Sequence, residues 1–218
     1  MLLSQIAEIL AERKGKQLDV PFRLQCEDLI VIHTARILTN ILSKNPAQKK
    51  YYSKFIILDL EEVNKDECDE LADCNCQNVL KTTKEIPQTL KVGSNIFDYF
   101  GSVGGSQPYA WTTFGSEQFM RTSKYTGKKA RYTVINNYGY IFNEKNIPKI
   151  RIEDVFADPR KLATFSCSSE SFIPCYSATS DFITDEAIAQ LVIQSILQNE
   201  FRLMPDKEKI EIKEDKNV

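Results

Sequence analysis

The chain has 218 residues, enough to bury a core without staples and too few for more than two small domains. Its 28 basic and 30 acidic residues nearly cancel, which excludes a nucleic-acid-binding polycation. Apolar residues make up 42% of it, as in a globular rather than a disordered protein, and no apolar run reaches the ~18 residues a membrane span needs.

Residues 1–16 lack a basic n-region and a small-residue cleavage site, so they are not read as a signal peptide, and the chain is expected to be made in a cytosol. In that compartment Cys26, Cys68, Cys74, Cys76, Cys167 and Cys175 are expected as thiols or metal ligands, not disulfides. Leu3, Ile6, Ala7 and Leu10 follow the i, i+3, i+4, i+7 spacing of a short amphipathic helix, with Ser4 as its N-cap and Gly15 just past its end. Residues 18–21 read as a linker, with Pro21 just before the next helix.

Residues 22–42 predict one long helix with two apolar stripes. Phe22, Cys26, Leu29, Ile30, Ile37 and Ile41 form one; Leu24, Val31, Ala35, Leu38 and Leu42 lie nearly opposite. A helix on the surface of a monomer needs one stripe, so two opposed stripes predict a helix sandwiched by its own chain or by a neighbouring subunit. Asn45-Pro46 ends it.

Beyond it the texture turns to β. Residues 55–60 predict a strand, 61–73 an acidic loop, and 102–108 a flexible loop. Residues 131–136 and 139–143, joined through Asn137-Tyr138, predict a hairpin. Residues 149–155 alternate apolar and charged, as a half-exposed strand does. Residues 116–122 suggest a single helical turn. Asp158-Pro159 starts a short helix, and 165–180 are irregular. Thr184 is expected to cap a last helix; residues 187–199 are uncharged and apolar around most of the circumference, which predicts burial. Residues 206–218 are charged with sparse apolar anchors and read as a tail ordered by a partner or not at all. The expected fold class is α+β: a helical bundle from residues 1–50 and 183–204, an inserted β-rich module over 51–182, and an extended tail over 205–218.

Catalytic signals are sparse. His33 is the single histidine and lies mid-helix beside an apolar stripe, where a hydrogen-bonded core residue is expected rather than a base. No phosphate-binding glycine motif is present, and no carboxylate pair stands out. Cys68, Cys74 and Cys76 are weak candidates for a metal site, because their spacing is not that of paired Cys-x-x-Cys ligands. Lys124, Lys128, Lys129 and Arg131 cluster with Tyr125 and Tyr132. Such a cluster either faces nucleic acid or protects a hairpin edge.

Several stretches together resemble a known family. Cys68…Cys74-x-Cys76 runs into Val79-Leu80-Lys81-Thr82 and Ile86-Pro87. The 131–143 hairpin is followed by residues 149–159, and a capped helix begins near Thr184. In this order and texture the chain resembles the head–tail connector, or ring, proteins of crAss-like and related short-tailed phages. The resemblance implies a non-enzymatic virion protein, assembled in the host bacterial cytoplasm, with no cofactor and no membrane span. It implies a ring of about twelve identical subunits below the portal, with portal and tail or other ring proteins as partners and DNA only as channel contents. Assembly contacts are expected at Leu24, Val31 and Leu38, at Ile188 and Val192, and at Ile210 and Ile212 of the tail. Lys124, Lys128, Lys129 and Arg131 are the candidate DNA-facing residues. The alternative is a nucleic-acid-binding β module with a helical dimerisation element.

Overall fold

The computed structural model describes residues 1–63, 79–93, 96–121, 123–125, 129–144, 147–168, 170–182 and 185–202. The fold is α+β. It divides into two compact units, Met1–Ile41 with the described part of Ala178–Val218, and Leu42–Ser177.

The first unit is helical. Helix α1 (Leu3–Arg13) buries Leu3, Ile6, Ala7, Leu10 and Ala11. Ser4 lies inside it and is not its cap; the Leu2 N–H donates instead to Gln5 Oε1 (3.1 Å). Its end is a Schellman motif. Gly15 takes φ +67°, its N–H bonds Glu12 O, and the Lys16 N–H bonds Ala11 O. Helix α2 (Val20–Lys44) begins one residue before Pro21, so Pro21 sits in its first turn, where it has no partner to lose. Asp19 caps it, Oδ1 accepting from the Phe22 N–H (3.0 Å).

The last described helix is α5 (Glu186–Asn199). Its cap is Asp185, which accepts from the Ala187 N–H; Thr184, the expected cap, lies outside the described residues. It packs on α1 through a face of Ile188, Ala189, Val192, Ile193 and Ile196. That is one face, not most of the circumference. Phe201 then lies against Phe22 (ring centroids 5.7 Å), and the Met1 ammonium pairs with Asp181 (3.1 Å).

The second unit is a curled seven-stranded sheet. A short helix α3 (Lys49–Tyr52) leads into β1 (Lys54–Glu62). There follow β2 (Val79–Thr82), β3 (Tyr99–Gly101), β4 (Ala110–Trp111), helix α4 (Phe114–Arg121), β5 (Arg131–Ile135), β6 (Tyr138–Phe142) and β7 (Lys149–Asp154). The strand order is β3-β7-β1-β2-β6-β5-β4, antiparallel except for β4 beside β5. Strand β1 bonds β7 over Lys54 to Asp59 and then β2 over Leu60 to Glu62, so Glu61 and Glu62 belong to a strand and not to a loop. Changing partners along one strand lets the sheet curl.

The curl nearly closes, because Pro108, just before β4, bridges Gly101 of β3 and the Tyr109 N–H bonds Phe100 O (2.8 Å). Only glycine fits at Gly101, where a Cβ would stand 2.2 Å from Gln107 O. Residues 102–108 are accordingly braced rather than flexible: the Tyr99 hydroxyl donates to Ser102 O and Gln107 O, and the Gln107 N–H to Ser102 Oγ. Inside, Phe100 stacks on Tyr132 (3.9 Å), with Phe97 and Tyr109 alongside. The β5–β6 hairpin turns at Asn136-Asn137, one residue earlier than expected. Both take positive φ, as a two-residue type I′ turn requires.

Candidate assembly interface

Helix α2 buries one stripe well. Phe22, Cys26, Ile30, His33 and Thr34 are all enclosed. Burial pushes the Cys26 thiol up to about 11, which leaves it an inert neutral filler. The opposite stripe is uneven. Val31 is buried, Leu38 is half-buried, and Leu24 is 57% exposed, one turn beyond Val20 at 52%. Leu18, just before the helix, stands in solvent, as does Ile32 on a third face of α2. Ile188 and Val192 are enclosed in the helical core, so neither is offered to a partner. The periodicity of α5 marked them as apolar but could not say which side of the helix faces the chain. Ile210 and Ile212 lie outside the described residues.

The histidine sits between α2 and α5. His33 Nδ1 is 2.8 Å from Ser195 Oγ and Nε2 is 3.4 Å from Glu200 Oε1. A serine, a histidine and a carboxylate in that order have the makings of a relay triad. Ser195, however, is a mid-helix residue whose neighbouring N–H groups are spent on the helix ladder. The arrangement is an inter-helix polar bridge.

In the β unit the basic candidates part company. Lys124 and Lys129 are exposed, with Tyr125 84% exposed beside them, and Lys128 lies outside the described residues. Arg131 is not a DNA-facing residue. It is 2% exposed, and its guanidinium forks onto Glu117 of α4, Nε to Oε2 at 2.5 Å and Nη2 to Oε1 at 2.8 Å. The pair pins α4 to β5 and leaves Phe119 and Met120 of α4 on the surface with Trp111 of β4. Its partner, Glu117, could not be assigned from sequence, because it lies across a helix–strand contact.

A second buried ionic group has no signature in the sequence. Lys49 Nζ lies 2.7 Å from both Asp154 Oδ1 and Asp98 Oδ1, and Ser53 Oγ donates to Asp98 Oδ2. Asp154 is fully enclosed, takes a further bond from the Val155 N–H, and leaves Oδ2 without a hydrogen-bond partner. Burial pushes its carboxyl above the usual range, against the pull of Lys49. For Lys49 burial pulls the other way, and its two carboxylate partners more than offset it, so its pKa is raised.

The cysteine expectation needs correction. Cys167 and Cys175 form a disulfide. Ser166 bridges both Ile57 of β1 and Pro174, the Cys167 N–H bonds Ile173 O, and the Cys175 N–H bonds Phe165 O. This pairing holds the two Cα atoms 5.1 Å apart. The loop between them presents Phe172 and Ile173 to solvent. Beside it a cleft of about 130 Å³ is lined by Asp59, Lys84, Lys149, Phe165, Ser166 and Phe172. Its cations are already engaged, Lys84 with Thr164 O (3.0 Å) and Lys149 with Asp59 (3.8 Å). Among the described residues no cluster of three His, Cys, Asp or Glu could hold a metal, and no helix is long and apolar enough to cross a membrane. Cys68, Cys74 and Cys76 lie outside the described residues.

What is built here is a set of exposed apolar faces on a braced scaffold. A family model described as phage tail ring protein 2, of the crAss ring proteins, matches residues 2–217. The chain belongs to that family. No curated protein matches it. As a phage tail ring protein it is a structural component of a virion, and membership of a ring family implies oligomeric assembly. Exposed Leu18, Val20 and Leu24 are in keeping with a subunit whose surface is completed by neighbours.

Proposed function

We propose that the chain forms a closed homo-oligomeric ring between the portal and the tail of the virion, around the channel through which DNA leaves, and that it has no enzymatic activity. The match to the tail ring protein 2 family over residues 2–217 carries this reading. The exposed apolar residues of α2 support it, because a ring subunit must keep adhesive surface uncovered until its neighbours arrive. A ring of about twelve copies, assembled in the host cytoplasm before joining portal and tail proteins, is part of the proposal. DNA is the channel's content and not a ligand; the exposed lysines Lys124 and Lys129 are two charges that do not require a sequence-reading role.

Electron microscopy of the purified full chain, with a mass measurement in solution, tests the proposal. Closed rings of a single stoichiometry are expected. A chain that stays monomeric at high concentration and binds short oligonucleotides in a salt-dependent way would favour the nucleic-acid module instead.

A further inference from the structure

The disulfide of the β unit rests on a frame that does not need it. Ser166 and Pro174 pair as antiparallel strands do, through the Cys167 N–H to Ile173 O (2.8 Å) and the Cys175 N–H to Phe165 O (3.0 Å). The Ile57 N–H of β1 bonds Ser166 O (2.9 Å), and Ser166 Oγ donates to Ser168 O (2.7 Å). None of these bonds involves sulfur, so the frame holds the two cysteines side by side whether or not a covalent bond joins them. They lie eight positions apart in sequence with Cα atoms 5.1 Å apart, so side-chain rotation alone opens or closes the bond.

The frame also provides for the reduced pair. Phe55 O lies 3.1 Å from Cys167 Sγ and 3.4 Å from Cys175 Sγ. Residues two apart on a strand point their backbone groups the same way. The Ile57 N–H points at Ser166, so the Phe55 carbonyl leaves β1 on that same side, towards the sulfurs. A disulfide sulfur has no proton to donate, whereas each thiol is a weak donor and a carbonyl oxygen has two lone pairs. Reduction therefore gives Phe55 O two S–H donors that the oxidised pair lacks. Both cysteines are half-buried and residues 170–174 are exposed, so a small thiol or disulfide can reach the sulfurs. Exposed disulfides are the labile ones. Cys26, enclosed and with its thiol pushed up to about 11 by burial, has no such access.

We infer that Cys167 and Cys175 form a reversible redox site: a dithiol bonded to Phe55 O in a reducing cytosol, and a disulfide once the particle meets an oxidising medium. The oxidant is a low-molecular-weight disulfide. One cysteine thiolate attacks it, releases one small thiol and leaves a mixed disulfide. The other cysteine thiolate then displaces the second small thiol and forms the Cys167–Cys175 bond. The oxidant's S–S bond takes up the two electrons, and the two cysteine protons end on the two released thiols. The timing rests on the reading of the chain as a virion subunit assembled in a host cytoplasm. On that reading the covalent tie is added to subunits already in place.

Trapping by alkylation in the full-length chain tests it. Trypsin releases residues 162–202 as one peptide, which contains Cys167 and Cys175 and none of the other four cysteines. Cells making the chain are quenched in acid and their extract alkylated; two labels are expected on that peptide. Treating the native chain with oxidised glutathione should leave the peptide unlabelled and free of glutathione, and dithiothreitol should restore both labels, with circular dichroism unchanged throughout. An unlabelled peptide from freshly quenched cells would overturn the site. So would a peptide that keeps both labels under oxidised glutathione or stops at the glutathione adduct. Donation to Phe55 O is read separately, in urea with dithiothreitol. The pair Cys167→Ala with Cys175→Ala is expected to have a lower midpoint than wild type, and Cys167→Ser with Cys175→Ser, which keeps two O–H donors, to lie above the alanine pair. Equal midpoints for the two pairs would overturn the role of Phe55. A chain that cycles as described but never forms rings would sink the ring reading and the timing, and leave the redox site standing.

Discussion

At the scale of single residues, Lys49 holds together a buried ionic group of the β unit. It is the counter-charge of two carboxylates, one of them fully enclosed. Removing one partner of a buried ion pair leaves the other uncompensated, so Lys49→Met is expected to cost roughly 3–5 kcal/mol in urea unfolding. Lys49→Met combined with Asp154→Asn should recover a large part of this, because no lone buried charge remains. The pH dependence follows from the direction of the Lys49 shift. Its folded pKa is raised above 10.5, so its contribution is complete below that pH and is lost as pH rises through the folded value. Melting followed by circular dichroism should therefore show a steeper fall in stability above about pH 10.5 than in the double variant, which keeps the buried Tyr109 and Tyr132, whose hydroxyls burial pushes up to about 12. Almost none of this was legible in the sequence. The alternation of residues 149–155 does place Asp154 on the inward side with Ile150 and Ile152, and the strand forms as expected. What makes a carboxylate tolerable there is a lysine more than a hundred positions away, and pattern carries no information about that distance.

Local elements were legible where the signal was local. The glycine after α1, the proline ending α2, the Asp158 cap and the asparagine hairpin all depend on backbone geometry within a few residues. All four are found, the hairpin turn being shifted by one position. The caps of α1 and α5 were misplaced because several polar residues compete near each start, and only geometry chooses between them. The disulfide was missed for a different reason. The compartment argument concerns average redox poise, whereas the paired segments at Ser166 and Pro174 bring two particular sulfurs together. Closing so short a loop should stabilise the β unit by about 2–3 kcal/mol on the chain-entropy account. Reduction, or Cys175→Ser, is expected to lower the urea midpoint and to speed amide exchange around Cys167. An unchanged midpoint, with two reactive thiols on the untreated chain, would count against the bond.

For the whole molecule, the division into a helical and a β unit reflects a real change of periodicity along the chain, and the α+β class was legible for that reason. Which side of α5 faces outward was not, since a helix apolar on one face and uncharged on the other looks apolar all round until its neighbours are known. The tail belongs at this scale too. Residues 206–218 carry Ile210 and Ile212 in strand-like alternation among charges. We propose that they add to a neighbouring subunit or an adjacent ring, where two well-buried isoleucines would contribute roughly 2–4 kcal/mol per copy. Truncation after Met204 should then give rings that dissociate at lower denaturant or lose their neighbours. Rings of undiminished stability, with neighbours still bound, would leave the tail without that role.

The helical unit is discontinuous, and this has a consequence in time. In sequence its parts flank the β unit, and α5, which packs on α1, is made after that unit. Synthesis proceeds at roughly 5–20 residues per second, so the β unit is complete and free to fold while the helical unit still lacks a wall. The helical core that encloses Ile188, Val192 and Ile196 is therefore finished only after the β unit has been made.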